Sequence, residues 1–586
     1  MMIGLKNKTY IYYGALLIAV CISFIFTNIS YDAEYQMAMA YRMIKGDALI
    51  TGMWEPHQTS AFLCAALMKV YMMITGTTTG IVLYLQVAGL LIRGVLSILL
   101  FQTIKELTSE KPALIGAIIY FLNSPKDLLT PEFSNMQLWF ATLMFLSLVQ
   151  YFKNQKAGQL VLAAVWLCLG VLSYPSFVIC YVAAMVILWK YSQKKTRDIA
   201  IFTGVCVAVG STFAGFLLWK NGLDTIITCV SSALALEPSH TVSMSGKLLS
   251  HGWNVLKILG LLAVCMVAGF IMEYVYGMRL KQKSGPDQKN IVVGPQKDSV
   301  MPKIISKERA VFFAWCVLQI LFLFNILSVE NRCGYGYTFL FILLIGFWKR
   351  TLLSAGERRI YGVAMWISIM NLFSTLLLSD HAFLQATPYM LLAVSVSVLP
   401  LYRWYERIKA DISVRKWFVA SIHVYLFLLI FRALFIHIPM YGRGQICSVL
   451  DDLAMIRRGP AIGIVTDEDG AARQRDSMKE WDLYIEEGDT IWILGEPVDT
   501  LGYLYKDVKV GAPSVMSTPT YNSQLLYYWE LNPDKYPDVV ILASGFGELS
   551  WDLLRNEWLM NWLEQEYQAK MVIDGNYWRY YFKNAR

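Results

Sequence analysis

The chain has 586 residues, of which 56% are hydrophobic and only 16% are charged. Soluble globular proteins carry about 25% charged residues, so this composition excludes an ordinary soluble enzyme. The net charge of +8 is unevenly distributed, because residues 441–586 hold 14 Lys/Arg against 23 Asp/Glu whereas the rest of the chain holds 37 against 20. The sequence therefore predicts two parts that face different surroundings.

Apolar segments recur along the first three quarters of the chain, each long enough to cross a hydrocarbon layer about 30 Å thick as a helix. The first follows Lys6 and Lys8 as a signal peptide would, but its cleavage site is weak, and we interpret it as an uncleaved first span. The pattern predicts a polytopic membrane protein with thirteen spans, near residues 9–28, 79–103, 112–124, 134–152, 158–173, 175–192, 199–219, 254–278, 309–328, 335–348, 358–378, 382–401 and 416–438.

The distribution of basic residues predicts the orientation. With residues 59–74 placed in the membrane interface, the loops on the amino-terminal side hold 27 Lys and Arg residues and the opposite loops before Tyr441 hold 7. The positive-inside rule then favours a multi-pass protein of the cell membrane with a cytoplasmic N-terminus and an extracytoplasmic C-terminal domain. The basic loop 279–309 is expected to lie near anionic headgroups, and because no binding motif accompanies it, nucleic acid is not expected as a partner.

The first external loop, residues 29–78, is unusually polar for a segment beside lipid. Asp32 immediately follows the first span, and a carboxylate there suits a general base whose pKa burial raises and a nearby cation lowers. The alternative is that Asp32 caps a helix beginning near Glu34, since Asp is a favoured N-cap. If residues 34–45 are helical, their spacing predicts an amphipathic helix on the membrane surface.

After the last span, short β-rich segments alternate with turns. Residues 461–465, 490–494 and 537–542 are predicted strands, 551–567 a helix, and 571–582 a terminal hairpin. These elements predict a small α/β domain. The ten Cys residues are scattered singly, without metal-binding spacing.

Four short motifs follow the first span, and they resemble the first external loop of GT-C glycosyltransferases, which include protein O-mannosyltransferases and bacterial aminoarabinose transferases. The motifs are Tyr31-Asp-Ala-Glu-Tyr35, Ala40-Tyr-Arg42, Gly46-Asp47 and Trp54-Glu-Pro-His-Gln-Thr-Ser60. The resemblance covers about 50 residues in motif and the whole chain in architecture. It implies a mainly α, GT-C-like bundle over residues 1–440 and a soluble extracytoplasmic α/β domain over 441–586.

The resemblance also implies an activity, which is transfer of a sugar from a polyprenyl-phosphate donor to an acceptor on the outer face. An acidic residue of the first loop would be the general base, and the family's adjacent Asp-Glu is replaced here by Asp32-Ala33-Glu34. The catalytic carboxylate is therefore Asp32 or Glu34, with Asp32 favoured because it lies nearest the span. Glu55-Pro56-His57-Gln58 stands where many relatives have Lys-Pro-Pro, which suggests a different acceptor or donor sugar.

The leaving lipid phosphate needs cations because charge accumulates on it in the transition state. Arg42, Lys69 and Arg332 are candidates, although Lys and Arg at span ends commonly extend to the interface. His57 and His381 are candidates for sugar hydroxyls or the phosphate, and Trp54 for stacking on a sugar. The substrate-binding set predicted on this resemblance is Arg42, Asp47, Trp54, Glu55, His57, Gln58, Lys69, Arg332 and His381.

Several questions remain open at the level of sequence. Some relatives use a divalent cation and others do not, and we predict no metal ligands and no certain cofactor. The rival function is a transporter or flippase of lipid-linked saccharides, which would place ionisable groups near the midplane of the membrane. The spans here are nearly free of charge, so chemistry at the surface is favoured. The donor sugar, the acceptor and the role of the C-terminal domain are not determined.

Overall fold

The computed structural model describes residues 2–55, 57–235, 244–283, 307–328, 334–378, 382–409, 412–440, 446–494, 500–515, 522–543, 556–568, 571–575 and 578–584. Helices form the first three quarters of the chain. In chain order they are α1 Met2–Phe26, α2 Tyr31–Ile44, α3 Ala61–Thr75, α4 Ile81–Lys105, α5 Glu110–Leu122, α6 Phe133–Asn154, α7 Ala157–Ser173, α8 Cys180–Tyr191, α9 Lys195–Asn221, α10 Leu223–Ala235, α11 Met244–Lys283, α12 Lys307–Ser328, α13 Tyr335–Lys349, α14 Ala355–Leu378, α15 Phe383–Ala386, α16 Leu391–Val396, α17 Val398–Ile408 and α18 Ile412–Phe435.

The chain is a multi-pass membrane protein. Seven helices of the described chain are long and apolar enough to cross a membrane, or nine if two bent helix pairs each form one span. Every predicted span coincides with a helix or a broken helix. The count of thirteen stays a prediction, because α5 has only 13 residues and a helix of that length rises about 20 Å.

One segment shows why length alone does not decide the count. Gln58–Thr75 passes the length and hydropathy test for a span. The distribution of Lys and Arg instead favours an interfacial position for it. Since one extra crossing reverses the orientation of all later helices, the two criteria lead to opposite sides for the C-terminal region.

The first span packs against α4 and α18, and α4 packs against α5 and α6. A close approach fixes the loop that joins α5 to α6. A Cβ added at Gly89 of α4 would lie 1.8 Å from the carbonyl oxygen of Leu129, so a larger residue would push this loop away. The residue without a side chain therefore lets the loop at residues 123–132 lie directly against the bundle.

The C-terminal region, residues 436–584, begins without a linker. Strand β1 (Ile436–His437) follows α18 directly and pairs antiparallel with β2 (Cys447–Ser448). The antiparallel pair β3 (Leu453–Met455) and β4 (Val465–Asp467) comes next. The remaining strands are β5 Thr490–Leu494, β6 Lys509–Val510, β7 Val539–Ala543, β8 Met571–Asp574 and β9 Trp578–Phe582, and the helices are α19 Glu468–Tyr484, α20 Gly502–Tyr505, α21 Asn522–Leu531 and α22 Glu557–Leu563.

The main sheet has five strands in the order β6-β5-β7-β9-β8. Strands β6, β5 and β7 are parallel, with Ile491 opposite Val539, whereas β9 and β8 are antiparallel additions. All five residues of β5 are buried, which fits the continuous apolar sequence from Ile491 to Leu494. The central strands of this sheet are buried and form the core of the C-terminal region.

Most of the strand predictions in this region are confirmed. The segment 490–494 is β5, 571–582 is the hairpin of β8 and β9, and 537–542 overlaps β7. The prediction for 461–465 is wrong except at its last residue, because a turn in which Ile464 N–H donates to Ala461 O occupies that segment. For the helix predicted over 551–567, residues 551–555 lie outside the described residues.

The C-terminal region is bonded to the first external loop and to the start of α4. Trp54 N–H donates to Pro513 O at 2.8 Å, and Gly80 N–H donates to Gly459 O at 3.2 Å. The hydroxyl of Thr78 donates to Leu504 O at 2.9 Å. The first external loop is therefore enclosed between the helix bundle and the sheet.

Candidate functional site

A carboxylate and a cation meet at the end of the first span. Asp32 lies in the first turn of α2, where negative charge interacts favourably with the helix dipole. Its Oδ2 accepts a hydrogen bond from Lys126 Nζ at 2.7 Å, and the Asp32 side chain keeps 32% of its surface exposed. The N-cap of α2 is Ser30. The alternative role predicted for Asp32, a cap of a helix near Glu34, is therefore wrong.

Lys126 is carried by a tightly held loop between α5 and α6. Lys126 and the next residue, Asp127, have φ angles of 55° and 60°, which are uncommon for residues with side chains. Arg93 of α4 donates to Phe121 O at 3.0 Å and to Leu128 O at 3.1 Å, so it fixes both sides of the turn. The loop thus presents the Lys126 ammonium group in a conformation that the chain would not adopt alone.

Glu132 closes the same loop and lies beside the Asp32–Lys126 pair. Its two carboxylate oxygens accept from the backbone N–H groups of Ser134 and Asn135 at 2.8 and 2.7 Å, so it caps α6. Burial raises the pKa of Glu132 to about 7, with Lys126 opposing the shift and the negative charge of Asp32 adding to it. Three charged groups from two loops therefore interact at this point.

A second cation stands on the other side of the turn. Arg432, in the last turn of α18, holds Asp127 through two hydrogen bonds of 3.0 and 2.6 Å. Its guanidinium also lies 4.4 Å from the centroid of the Tyr335 ring. The site thus contains two cations, each paired with a carboxylate: Lys126 with Asp32, and Arg432 with Asp127.

Aromatic rings form one wall beside this cluster. The imidazole of His57 stacks against both Phe133 and Tyr174, with ring centroids at 4.5 and 5.0 Å, and those two rings lie 6.0 Å from each other. Lys126 Nζ lies 4.6 Å from the centroid of Phe133. Among the predicted substrate-binding residues that the structure describes, His57 lies next to the Asp32–Lys126 pair, because its ring and the ammonium group of Lys126 both contact Phe133.

Arg42, Asp47 and Glu55 form a different assembly, which we name the buried hub. Arg42 donates to Asp47 at 2.8 Å and to Glu55 at 3.3 Å, and the three side chains are 1%, 2% and 0% exposed. Arg42 also donates to Pro513 O at 3.1 Å and to the hydroxyl of Tyr528 at 3.1 Å. These partners belong to the C-terminal region, so the hub fastens the first loop to the sheet.

The two acids of the buried hub, Asp47 and Glu55, also have several hydrogen-bond partners. Glu55 accepts from Ser514 Oγ at 2.6 Å, from Val515 N–H at 2.6 Å and from Tyr35 Oη at 3.0 Å. Asp47 also binds Lys535 Nζ. The structure therefore places Arg42, Asp47 and Glu55 at the contact between the first loop and the C-terminal region, with their side chains almost fully buried. The surrounding helix α2 is buried from Ala33 to Arg42, so the prediction that it lies on the membrane surface is wrong.

Trp54 and Gln58 line an apolar cavity next to the buried hub. The cavity lies between the first loop, α9 and α10, and Phe213, Leu217 and Val230 complete its wall. Trp54 contacts Tyr528 with ring centroids 5.4 Å apart, and Gln58 Oε1 accepts from Ile50 N–H at 2.8 Å. Both residues are thus held in position with one face toward an apolar space.

The remaining predicted residues lie apart from the Asp32–Lys126 pair or outside the description. Glu34 is fully buried, and Lys69 is exposed on α3. Arg332 and His381 lie outside the described residues. Among the described side chains, no group of three or more His, Cys, Asp and Glu is arranged to hold a metal ion.

Sequence reasoning missed Lys126 and Arg432 as site residues. Lys126 comes 94 positions after its partner Asp32, and Arg432 comes 305 positions after Asp127. Asp127 and Glu132 were noticeable as acids in a short loop between two spans. A signal for Lys126 was its place in the same loop, Pro125-Lys-Asp127, where a cation stands between two spans on the predicted outer side.

Comparison with solved structures finds similar proteins at low sequence identity. The chain is 10% identical to ArnT from Cupriavidus metallidurans in the apo state, covering 99% of each chain with a TM-score of 0.45. Against the same protein bound to undecaprenyl phosphate, the identity is 10%, the coverage 99% and 98%, and the TM-score 0.42.

The second similar protein is the archaeal oligosaccharyltransferase AglB from Archaeoglobus fulgidus, in complex with an inhibitory peptide and a dolichol-phosphate. Its identity is 11%, the match covers 92% of this chain and 70% of that chain, and the TM-score is 0.42. No protein-family model and no curated protein matches the chain.

Proposed function

We propose that the chain is a membrane glycosyltransferase that moves a sugar from a polyprenyl-phosphate donor to an acceptor at the extracytoplasmic surface. The observation that carries the proposal is the Asp32–Lys126 pair at the end of the first span, in which the Asp32 side chain is one third exposed. A lipid-linked donor holds its phosphate at this depth, and the pair offers a cation for that phosphate beside a carboxylate for the acceptor. The topology, with a cytoplasmic N-terminus and an extracytoplasmic region 441–586, is part of the proposal.

The reaction is a displacement at the anomeric carbon. An acceptor hydroxyl forms the new bond to that carbon, its proton passes to the Asp32 carboxylate, and the bond to the lipid phosphate breaks with its electrons going to the phosphate oxygen. Lys126 stabilises the charge that accumulates on the leaving phosphate. When the phosphate attracts Lys126, Asp32 loses part of its ion pair and becomes available to the acceptor proton.

Asp32 is a better candidate for the base than Glu34. The Asp32 side chain is one third exposed, whereas Glu34 is fully buried in α2. A general base must reach the proton that it removes within about 2.6–3.2 Å, or through one water. Glu132 has both oxygens on backbone N–H groups, so its role in the proposal is to hold the loop and the charge of Lys126.

His57, Trp54 and Gln58 are proposed to contact the substrate. His57 stands beside the Phe133 ring that Lys126 covers, close enough to hydrogen-bond a donor hydroxyl. Trp54 and Gln58 face the apolar cavity near α9 and α10, which suits an apolar part of the donor or acceptor. Arg42, Asp47 and Glu55 are proposed to support these residues from the buried hub.

The test is sugar transfer or release by the purified protein from a panel of radiolabelled polyprenyl-phosphate sugars. Wild type is compared with Asp32→Asn, Glu34→Gln and Lys126→Gln, with folding checked by melting temperature. We expect turnover in wild type, and its loss in Asp32→Asn but not in Glu34→Gln. A wild-type protein that turns over no donor but moves the lipid across liposomes would instead establish the transporter function.

A further inference from the structure

An open groove lies between the end of α8 and the start of α9. Its volume is about 670 Å³, within the range of ~300–1,000 Å³ usual for small-molecule sites. Six side chains line it, and they are Met185, Val186, Trp189, Lys190, Lys195 and Ile199. Trp and Lys are common anchors at the ends of spans, but here they border a groove that two lysines and an apolar floor share.

The groove lies at the membrane surface opposite the cavity beside Trp54. Helix α9 is apolar and long enough to cross a membrane, and it begins at Lys195. Leu217 of the same helix lines the Trp54 cavity, and it lies 22 positions, or about 33 Å, after Lys195. The hydrocarbon layer of a bilayer is about 30 Å thick. The groove and the Trp54 cavity are therefore separated by the thickness of the membrane.

Polar and apolar side chains occupy different depths in the groove. Lys190 is the penultimate residue of α8 and Lys195 is the first residue of α9, so both lie at the membrane boundary. Val186 comes four residues before Lys190, and Ile199 comes four residues after Lys195, which places both about 6 Å deeper. A phospholipid has the same order, because its phosphate lies above its acyl chains.

The acid in the first turn of α9 is turned away from the groove. Asp198 is fully buried. Its carboxylate accepts a hydrogen bond from Arg197 at 2.8 Å and also accepts from the hydroxyls of Ser192 and Tyr151. These bonds satisfy the negative charge inside the protein and fix the connection between α8 and α9. Asp198 therefore does not neutralise the lysines that line the groove.

The lysines remain open to a ligand. Lys190, Lys194 and Lys195 are exposed, and among the residues that the structure describes none of them has a carboxylate within ion-pair distance. Lys195 Nζ lies 5.1 Å from the ring centroid of Trp189, a contact that holds the ammonium group at the edge of the groove. Trp189 itself is 64% exposed. The surface of the groove thus presents positive charge beside an exposed aromatic ring.

The neighbouring helix α14 adds no exposed negative charge. Tyr191 of α8 packs directly on Gly362 of α14, since a Cβ added there would lie 2.2 Å from the tyrosine hydroxyl. Near the start of α14, Arg358 is exposed, whereas Glu357 is buried and accepts from Arg403 at 2.9 Å. The exposed charges of α8, α9 and α14 around the groove are therefore positive, which favours an anionic headgroup over a zwitterionic one.

We propose that this groove binds the headgroup of an anionic phospholipid at the membrane surface opposite the Trp54 cavity. The phosphate lies between Lys190 and Lys195, the glycerol lies against Trp189, and the upper part of an acyl chain runs over Val186 and Ile199. The bound lipid thereby joins α8 to α9. The proposal depends on the chain spanning a membrane and not on the proposed transferase activity.

The first experiment uses the full-length protein, purified in mild detergent and depleted of lipid. Native mass spectrometry compares the retention of phosphatidylglycerol with that of phosphatidylcholine carrying the same acyl chains. We expect phosphatidylglycerol to be preferred, and Lys190→Gln and Lys195→Gln each to lower its retention about fivefold. Lys220→Gln is the matched control, because Lys220 also follows an exposed tryptophan, Trp219, but lies at the other end of α9.

Two outcomes of this experiment would overturn the proposal. The first is equal retention of the two lipids by wild type, and the second is an equal loss in Lys220→Gln and Lys195→Gln. Glycerol phosphate, which has the phosphate but no acyl chain, separates a lipid site from a site for a free anion. We expect wild type to retain phosphatidylglycerol and not glycerol phosphate. Equal occupancy by both would assign the groove to a free anion and contradict the proposal.

A measurement on the unmodified chain does not depend on the folding of any variant. Phosphatidylglycerol and phosphatidylcholine, each with a diazirine in the upper part of one acyl chain, are cross-linked to wild type in nanodiscs, and the modified peptides are mapped. We expect phosphatidylglycerol to label Val186 and Ile199 more than phosphatidylcholine does. Val207 and Phe216, which are exposed further along α9, should be labelled equally by both lipids. The same ratio of labels at all four residues would overturn the proposal.

Discussion

The loop after α1 contributes acids to two clusters of charged residues that differ in exposure. Asp32 pairs with Lys126 while a third of the Asp32 side chain remains exposed. In the buried hub, Arg42, Asp47 and Glu55 have at most 2% of their side chains exposed. Both clusters pair acids with cations. They differ in how deeply the side chains are buried and in how many hydrogen-bond partners each acid has.

The difference shows how the same residue types divide between chemistry and structure. Glu55 accepts from Arg42, Ser514, Val515 and Tyr35, which exhausts most of the lone pairs of a carboxylate. A carboxylate with these partners and no exposed surface is not open to a substrate. Asp32 keeps a third of its side chain exposed at the end of a span, and in the proposed mechanism a substrate exchanges for its cation. The predictions below test this division.

The largest effect is expected from Asp32→Asn. If Asp32 is the general base, the amide removes its ability to take a proton, and kcat should fall by about 10²–10⁴-fold. The melting temperature should stay near that of wild type, since the side chain is partly exposed. Glu34→Gln is the paired control, and a larger loss of kcat in that variant than in Asp32→Asn would reverse the assignment of the base.

The second effect is on stability and concerns Arg42→Met. Removing one partner of a buried ion pair leaves uncompensated charge on Asp47 and Glu55 and should cost about 3–5 kcal/mol. The free energy of unfolding in detergent, or limited proteolysis of the junction between the first loop and the C-terminal region, measures this. A variant as stable as wild type would show that the hub is not what fastens the two regions.

Lys126→Gln is expected to have a smaller effect on turnover than Asp32→Asn. Loss of one group that stabilises developing charge usually lowers kcat by about 10²–10³-fold. Lys126→Arg keeps the charge and should recover part of the activity, which a purely steric role would not predict. A loss of kcat that both variants share equally would argue against phosphate stabilisation by Lys126.

The fourth prediction concerns pH and Glu132. Because burial raises the pKa of Glu132 from its ordinary value of 4.5 to about 7, the folded protein binds this proton more tightly than the unfolded chain. The corresponding stability is present below about pH 4.5 and is lost as the pH rises through 7. Melting temperatures between pH 5 and 8 should fall more in wild type than in Glu132→Gln. A melting temperature that falls less with pH in wild type than in Glu132→Gln would show that the folded protein favours the ionised form of Glu132.

The smallest effect is expected at the edge of the hub. Lys45 pairs with Asp507 of the C-terminal region, but their side chains are 34% and 41% exposed. Exposed ion pairs contribute about 0–1 kcal/mol, so Lys45→Met should barely change the free energy of unfolding. It is the matched control for Arg42→Met, because Lys45 follows Arg42 by three residues as the C-cap of the same helix. If Lys45→Met lowered the free energy of unfolding as much as Arg42→Met, the contribution of an ion pair would depend on its charge and not on its burial.

Much of the fold was predictable from local patterns. Apolar length predicted helices at every proposed span, and the short β-rich segment at 490–494 predicted the buried strand β5. Both signals depend only on neighbouring residues. Helix α2, in contrast, was wrongly predicted to lie on the membrane surface, because its polar residues indicated an exposed face. Their partners in the C-terminal region, such as Tyr528 and Pro513, lie more than 470 positions away and cover that face.

The sequence by itself determined that the chain crosses a membrane, that strands follow the last span, and that Asp32 ends the first span beside a polar loop. These properties depend on composition and on residues close together in the chain. Only the tertiary structure decided that Lys126 is the partner of Asp32, that Arg432 holds Asp127, and that Arg42 belongs to an interface. The physical reason is that burial and ion pairing depend on distances in space, and these pairs are brought together by packed helices and by a loop that approaches Gly89.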